Sequence, residues 1–166
     1  MQPSKRTIYE FFCDFAAQRP GDVFIFDERT SYTVSRAFDA IKSLAARFGG
    51  LGISAGTRVD VCTRRDVNTV LAFFALQFVG AKAVLYDPRE MPLKSEFALK
   101  DGILYRNERA FALDLEGGEG SVLPYLCKDS RAATITIFTS GSTGKPKPVN
   151  LSQYNFINNS LDTRDI

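Results

Sequence analysis

Between Arg58 and Pro88 the chain reads RVDVCTRRDVNTVLAFFALQFVGAKAVLYDP, and no other stretch narrows its fold so far. Val59 to Thr63 is a short β-branched run, and Asp66 stands where a helix N-cap belongs. Val67 to Val79 is apolar on nearly every side and Gly80 can end a helix. Ala81 to Tyr86 is a second apolar run, closed by Asp87-Pro88. Strand, buried helix and strand at this length make a βαβ unit, which requires parallel strands and a right-handed crossover. A helix apolar nearly all round must pack on more than one side, so the expected class is α/β.

The flanking segments are consistent with that class. Thr7 to Gln18 reads as a helix with an aromatic face (Ile8, Phe11, Phe12, Phe15), closed by Arg19-Pro20-Gly21. VFIFDERTSYT, residues 23–33, reads as a β-hairpin around the polar turn Asp27 to Thr30. Thr33 suits an N-cap, and Val34, Phe38, Ile41, Leu44, Ala45 and Phe48 recur behind it at helical spacing until Gly49-Gly50. Residues 93–129 are a less regular connector, in which ILYRNERAFALDL suggests a hairpin turning at Asn107 to Arg109 and residues 116–120 a loop. A strand is expected over Thr134 to Phe138, a short β piece around Val149, and a helix from near Ser152.

Several function classes drop out. The 166 residues contain no histidine, which excludes a His-based triad, a His-ligated zinc site and a His general base within this chain. A net charge of +2 gives no reason to expect nucleic acid or an anionic membrane as partner. The most apolar window, Val67 to Val79, is too short to span a bilayer, and the first residues carry no secretory signal. Cys13, Cys62 and Cys127 are odd in number and form no C-x-x-C, as expected of reduced thiols in a cytoplasmic protein. The isolated acids support no paired-carboxylate chemistry. Arg64-Arg65-Asp66 reads as a solvated loop, and the Phe-rich helix 67–79 as core.

One stretch points to chemistry. TSGSTGKPKPVNLS, residues 139–152, follows the expected strand TITIF. Backbone N–H groups of a glycine-rich turn can converge on an anion because no Cβ blocks close approach, and hydroxyls and lysines add donors and charge. A plain surface turn has the same composition, so composition alone leaves both readings open. A Walker loop is excluded: Gly141 and Gly144 are too close together and Pro146 follows Lys145. The nearest approach to a dinucleotide fingerprint, GLGISAG at 50–56, has the wrong spacing and follows a helix, so a helix end with a loop accounts for it better.

FTSGSTGKPK, from Phe138 to Lys147, closely resembles the phosphate-loop signature T-S-G-[ST]-T-G-x-P-K of AMP-forming adenylating enzymes. These are the acyl- and aryl-CoA synthetases, luciferases and peptide-synthetase adenylation domains. The segment from Ser31 to Arg89 is similar to the family's opening layout: a T-[YF]-x-E-L-like helix, a G-x-x-x-G-[DT]-[RK]-V strand, then G-A-x-x-x-x-x-[DN]-P. The likeness covers residues 6–92 and 130–160. It implies the N-terminal subdomain of the adenylate-forming fold, a mostly parallel sheet flanked by helices with short hairpins, with residues 1–166 as a single subdomain.

By the same resemblance, Thr139, Ser140, Gly141, Ser142, Thr143 and Gly144 would wrap the β- and γ-phosphates of ATP. Thr143 would be the hydroxyl nearest the phosphates and their Mg²⁺. Lys147 would balance phosphate charge, Pro146 would stiffen the turn, and Lys145 falls at a variable position. The implied reaction is attack of a carboxylate on the α-phosphate, giving an acyl-adenylate and pyrophosphate, then transfer to the thiol of CoA or of a phosphopantetheine carrier. The loop would position the triphosphate and stabilise the departing charge.

Two residues depart from the pattern: Pro148 replaces the usual Gly, and Gln153 stands where many members carry His. Family members are also several-fold longer, and their later motifs, including a C-terminal catalytic lysine, have no counterpart here. The chain is therefore expected to be an N-terminal piece, inactive alone, with no catalytic residue of its own and with the rest of the enzyme as partner. The alternative is a non-catalytic nucleotide-binding or protein-interaction module derived from the family.

Overall fold

The computed structural model describes residues 4–63, 66–87, 95–113, 115, 126–139 and 146–163. In chain order the elements are α1 (Ile8–Gln18), β1 (Val23–Phe26), β2 (Ser31–Thr33), α2 (Val34–Gly50), β3 (Arg58–Cys62), α3 (Val67–Phe78), β4 (Lys82–Tyr86), β5 (Phe97–Lys100), β6 (Ile103–Arg106), β7 (Arg109–Ala112), β8 (Ala133–Thr139), β9 (Lys147–Ser152) and α4 (Gln153–Asp162). The expected βαβ unit is β3–α3–β4, with the strands parallel and in register from Arg58↔Lys82 to Cys62↔Tyr86. Asp66 caps α3: its Oδ1 accepts from the Thr69 amide at 2.8 Å and its Oδ2 from the Thr69 hydroxyl at 2.7 Å. Beyond the other end of α3, Gly80 turns the chain at φ +72°.

Seven strands of the described residues form one sheet in the order β7-β6-β5-β3-β4-β8-β9. Its centre, β5-β3-β4-β8, is parallel, as a βαβ chain dictates. Antiparallel neighbours continue it at both sides, β6 and β7 on one and β9 on the other. The strands β1 and β2 form the separate antiparallel hairpin expected at residues 23–33. The α/β class with a parallel-centred sheet and short hairpins is thus borne out.

Two local readings change. Residues 97–112 lie within the stretch read as a less regular connector; the hairpin suggested there at Asn107 to Arg109 is β6–β7, and β5 stands beside it as an unexpected strand. Tight turns make this possible: Asp101-Gly102 (φ 54° and 70°) joins β5 to β6, and Asn107-Glu108 (φ 45° and 71°) joins β6 to β7. Paired positive φ values are those of the hairpin turn whose twist matches flanking strands. Gly49 and Gly50 do not stop α2; they finish it, and the reversal comes at Gly52, φ +89°. The loop expected at 116–120 lies outside the described residues.

Each of the four described helices starts at a capping side chain, at Thr33 and Asp66 as expected. Thr7 and Glu10 make a capping box at α1, Thr33 caps α2, and Ser152 with Asn155 makes a second capping box at α4. The core between helices and sheet is aromatic. Phe12 meets Phe24 and Phe74 edge-on at 5.1 Å each, and Tyr9 meets Phe78 at 5.1 Å, joining α1, β1 and α3. Val59 and Val61 of β3 point into this core, while Asp60 between them faces the other side of the sheet. Asp60 is fully buried, accepting from the Ser95 amide (3.2 Å), the Ser95 hydroxyl (2.8 Å) and Arg58 Nε (3.2 Å).

A buried polar chain ties the two ends of the sequence together. Gln153, with no exposed surface, accepts from the Ile8 amide through Oε1 at 2.8 Å and donates from Nε2 to the Gln77 carbonyl at 2.7 Å. Gln77 in turn donates to the Thr134 carbonyl at 3.3 Å. Asn158 clasps the Ser4 backbone in both directions, at 2.7 and 2.9 Å. No helix among the described residues is long and apolar enough to cross a membrane.

Candidate functional site

Four parallel strands present their carboxyl ends along one edge of the sheet. In open α/β sheets ligands bind outside this edge, where loops lead from strand ends. Here it is marked by Thr63 after β3, Asp87 after β4 and Thr139 at the end of β8. Thr63 extends the ladder, its amide and hydroxyl both donating to the Tyr86 carbonyl, at 2.9 and 2.8 Å. The glycine- and hydroxyl-rich string therefore leaves the sheet at the edge where open α/β sheets receive ligands.

Of the seven expected phosphate contacts, Thr139 and Lys147 lie within the described residues; Ser140, Gly141, Ser142, Thr143 and Gly144 lie outside them. The two are brought together. Thr139 and Lys147 are the last partners of the β8–β9 ladder, both exposed, and the Thr139 hydroxyl donates to the Lys147 carbonyl at 3.4 Å. One antiparallel pair thus holds the two ends of the string at a fixed separation.

The same ladder explains Pro148. Hydrogen-bonded and non-hydrogen-bonded pairs alternate in a regular antiparallel ladder, and proline fits only the second kind. Phe138↔Pro148 is then a non-hydrogen-bonded pair, with Thr139↔Lys147 and Ile137↔Val149 carrying the ladder bonds. Two residues on, at Thr136↔Asn150, the Thr136 hydroxyl donates to Asn150 Oδ1 at 2.7 Å, as the closer approach of such pairs allows. The amide that Pro148 lacks would have pointed off the outer side of β9, beside which the described residues place no further strand and where an unpaired donor invites strand addition. Pro148 therefore stiffens the exit of the loop and leaves the pairing with β8 intact.

The nearby helix N-terminus is already compensated. Besides Asp66, Asp27 reaches it, accepting from the Val67 amide at 3.4 Å through Oδ2. Its Oδ1 accepts from the Arg29 amide at 2.8 Å and the Thr30 amide at 3.0 Å, and these bonds, that to Arg29 first, hold the carboxyl below its usual range. With two carboxylates at its start, α3 does not compete with the glycine-rich string for an anion. Arg64 and Arg65 lie outside the described residues. Tyr86, at the end of β4, is pushed up to about 12, first by burial and then by Cys62 beside it. Among the described residues no group of three or more acidic or cysteine side chains could hold a metal ion.

Residue reading alone did not find Gln153, Gln77 or Asn150 as partners. Their counterparts lie far off in the chain or across a ladder, and no local pattern marks them.

No family model matches the chain. It is 27% identical to the nonribosomal peptide synthetase SIDD of Beauveria bassiana, over 95% of this chain and 10% of that protein. It is 28% identical to the syringomycin synthase SyrB1 of Pseudomonas syringae pv. syringae, over 89% of this chain and 27% of that protein. In three dimensions it is similar to the N-terminal subdomain of NpsA from Klebsiella oxytoca, solved in complex with 3-hydroxybenzoyl-AMSN. The TM-score there is 0.71 at 16% identity, covering 90% of this chain and 42% of that one. At that identity the likeness concerns the fold. The chain thus spans about a tenth of the first relative and about a quarter of the second.

Proposed function

We propose that this chain, recognisable in sequence and fold as the N-terminal part of an AMP-forming adenylating enzyme, supplies the triphosphate cradle of an ATP-dependent ligase. In this reading residues 1–166 are one piece of a longer N-terminal subdomain. The complete protein activates a carboxylic acid: a carboxylate oxygen attacks the α-phosphorus of ATP, the bond to the bridging oxygen breaks, and pyrophosphate leaves from the acyl-adenylate. The acyl group then passes to a thiol. The peptide synthetases among the relatives favour a carrier-bound phosphopantetheine thiol over CoA.

The observation that carries this reading is the placement of the T-S-G-S-T-G-K-P-K string. Its first and last residues, Thr139 and Lys147, pair with each other at the carboxyl edge of the parallel strands. Residues 139–144 offer backbone amides and hydroxyls to the β- and γ-phosphates, and Lys147 adds a positive charge at the mouth of the hairpin. Because the ladder fixes both ends of the string, little reorganisation is needed when charge builds on the leaving pyrophosphate. Mg²⁺, if bound with the triphosphate, would supply charge neutralisation. By the family resemblance the chain's own contact would be the Thr143 hydroxyl, in keeping with the few protein ligands of Mg²⁺–nucleotide sites. Three unpaired cysteines support a cytoplasmic setting.

The experiment is pyrophosphate exchange by the complete protein across a panel of carboxylic acids. Acid-dependent exchange is expected. Binding of ATP without exchange for any acid would replace this reading with a non-catalytic nucleotide-binding module.

A further inference from the structure

On the helical side of the molecule, α1 and α4 are joined where they start, by the Ile8–Gln153 bond, and leave a gap beyond it. A groove of about 560 Å³ runs between them, floored by Phe24 and Phe74 and walled by Phe11, Phe15, Phe156 and Leu161. Phe74 belongs to the Phe-rich helix read as core; it completes the core on one side and the groove floor on the other. Phe11 is 37% exposed, and such an apolar surface beside a well-packed core marks a contact not made within these residues.

The polar groups on the rim argue against a small polar ligand. Arg6 pairs with Asp14 and Arg19 with Asp22, and the Ser160 hydroxyl donates to the Phe156 carbonyl at 2.8 Å. Small-molecule pockets present a few convergent, available polar groups; of the described polar side chains lining this groove, Gln18 alone is not engaged. What fits is an apolar face of polypeptide. Ser160 and Leu161 line the groove in the last turn of α4, so the backbone leaves from the groove's own rim. The solved chain of the same fold is more than twice as long as the part this chain matches, 42% of it.

We propose that this groove seats the polypeptide that follows residue 166 in the complete protein, which packs apolar side chains between α1 and α4. The proposal rests on the reading above that the complete protein continues the subdomain. It makes α1 and α4 the seam between the phosphate-loop half and the remainder of that subdomain.

The test uses the complete protein with single cysteines at Phe11→Cys, or at Ser160→Cys should the first variant fold poorly. The reference is Ala17→Cys, an exposed position of α1 outside the groove. Alkylation is followed peptide by peptide, so that Cys13 is scored separately. The groove cysteine is expected to react at least about tenfold more slowly than Ala17→Cys at every protein concentration, as buried sites exposed only by local opening do. Equal rates would overturn the proposal, as would protection that appears only when protein concentration rises, since a second copy would then be the occupant. Pyrophosphate exchange on the same variants separates the two ideas. Exchange with a freely reacting groove cysteine sinks this inference alone, and protection without exchange sinks the enzymatic reading alone.

Discussion

Replacing Gln153 by leucine probes the bond that joins both ends of the sequence to the sheet. The side chain is fully buried; its amide accepts from the Ile8 amide at 2.8 Å and donates to the Gln77 carbonyl at 2.7 Å, a carbonyl that also accepts from the Gly80 amide at 3.2 Å. Leucine is similar in size but satisfies neither. The orphaned Ile8 amide costs about 1–3 kcal/mol, and the Gln77 carbonyl, which keeps the Gly80 amide, loses a bond worth about 0.5–1.5 kcal/mol. Better apolar burial of leucine offsets about 1 kcal/mol or somewhat more, from a methylene or two. The expected net loss is about 1–3 kcal/mol, a sizeable part of the roughly 5–15 kcal/mol that holds a domain together. The assay is urea unfolding of the 166-residue chain. At a slope of about 2 kcal/mol per molar, the midpoint falls by about 0.5–1.5 M with the slope unchanged. A fall of less than about 0.3 M would refute the argument, because the Ile8 amide would then have found another partner. Gln153→His is a graded control: a neutral imidazole has one donor and one acceptor, as the amide has, but aims them more divergently. It should be intermediate, and weaken further on acidification as the ring gains a proton and loses its acceptor.

Gly80→Ala should lower the thermal midpoint by about 4–8 °C, the equivalent of about 2 kcal/mol in a chain of this size. The left-handed φ of +72° disfavours any Cβ, and the added carbon would stand 3.3 Å from Cys127 Cβ and Sγ. An unchanged midpoint in a calorimetric scan would contradict this. For Tyr86 the folded-state pKa, pushed up to about 12, lies above the ordinary 10, so its contribution is complete below pH 10 and is lost as pH rises toward 12. Tyr86→Phe should therefore flatten the alkaline limb of a stability–pH profile; an identical limb in both proteins would rule Tyr86 out as its source. Asp60→Ala should cost about 1–3 kcal/mol in denaturant unfolding, because the half-buried Ser95 loses the acceptor of both its amide and its hydroxyl.

Much of the architecture is legible from local signals. Asp66 before Val67, Thr33 before Val34 and Ser152 before Gln153 all cap the helices they precede, since capping is decided within four residues. The βαβ unit is legible because strand, cap, apolar helix and glycine follow one another without interruption. The strand β5 is not. Its sequence, FALK, is short and carries no turn signal of its own before it, and it becomes a strand by pairing with β3, from which the chain has meanwhile made α3 and β4. The contacts of Gln153 join residues 145 and 76 positions apart, a distance at which no periodicity operates. For the candidate site the case is divided. The residue string identifies the loop on its own, whereas the pairing of Thr139 with Lys147, and its position at the carboxyl edge, follow only from the sheet. Pro148 shows the same division: as a departure from a pattern it carried no sense, and as an edge residue opposite Phe138 it does.

The central claim is that the hairpin between β8 and β9 holds a triphosphate for transfer of the adenylyl group. Its most direct test is pyrophosphate exchange by the complete protein carrying Thr143→Ala together with Lys147→Ala. The account predicts a fall of about 10²–10³-fold or more, the scale set by loss of a single donor to a developing oxyanion, with folding unchanged. Exchange at the rate of the unsubstituted protein would contradict it.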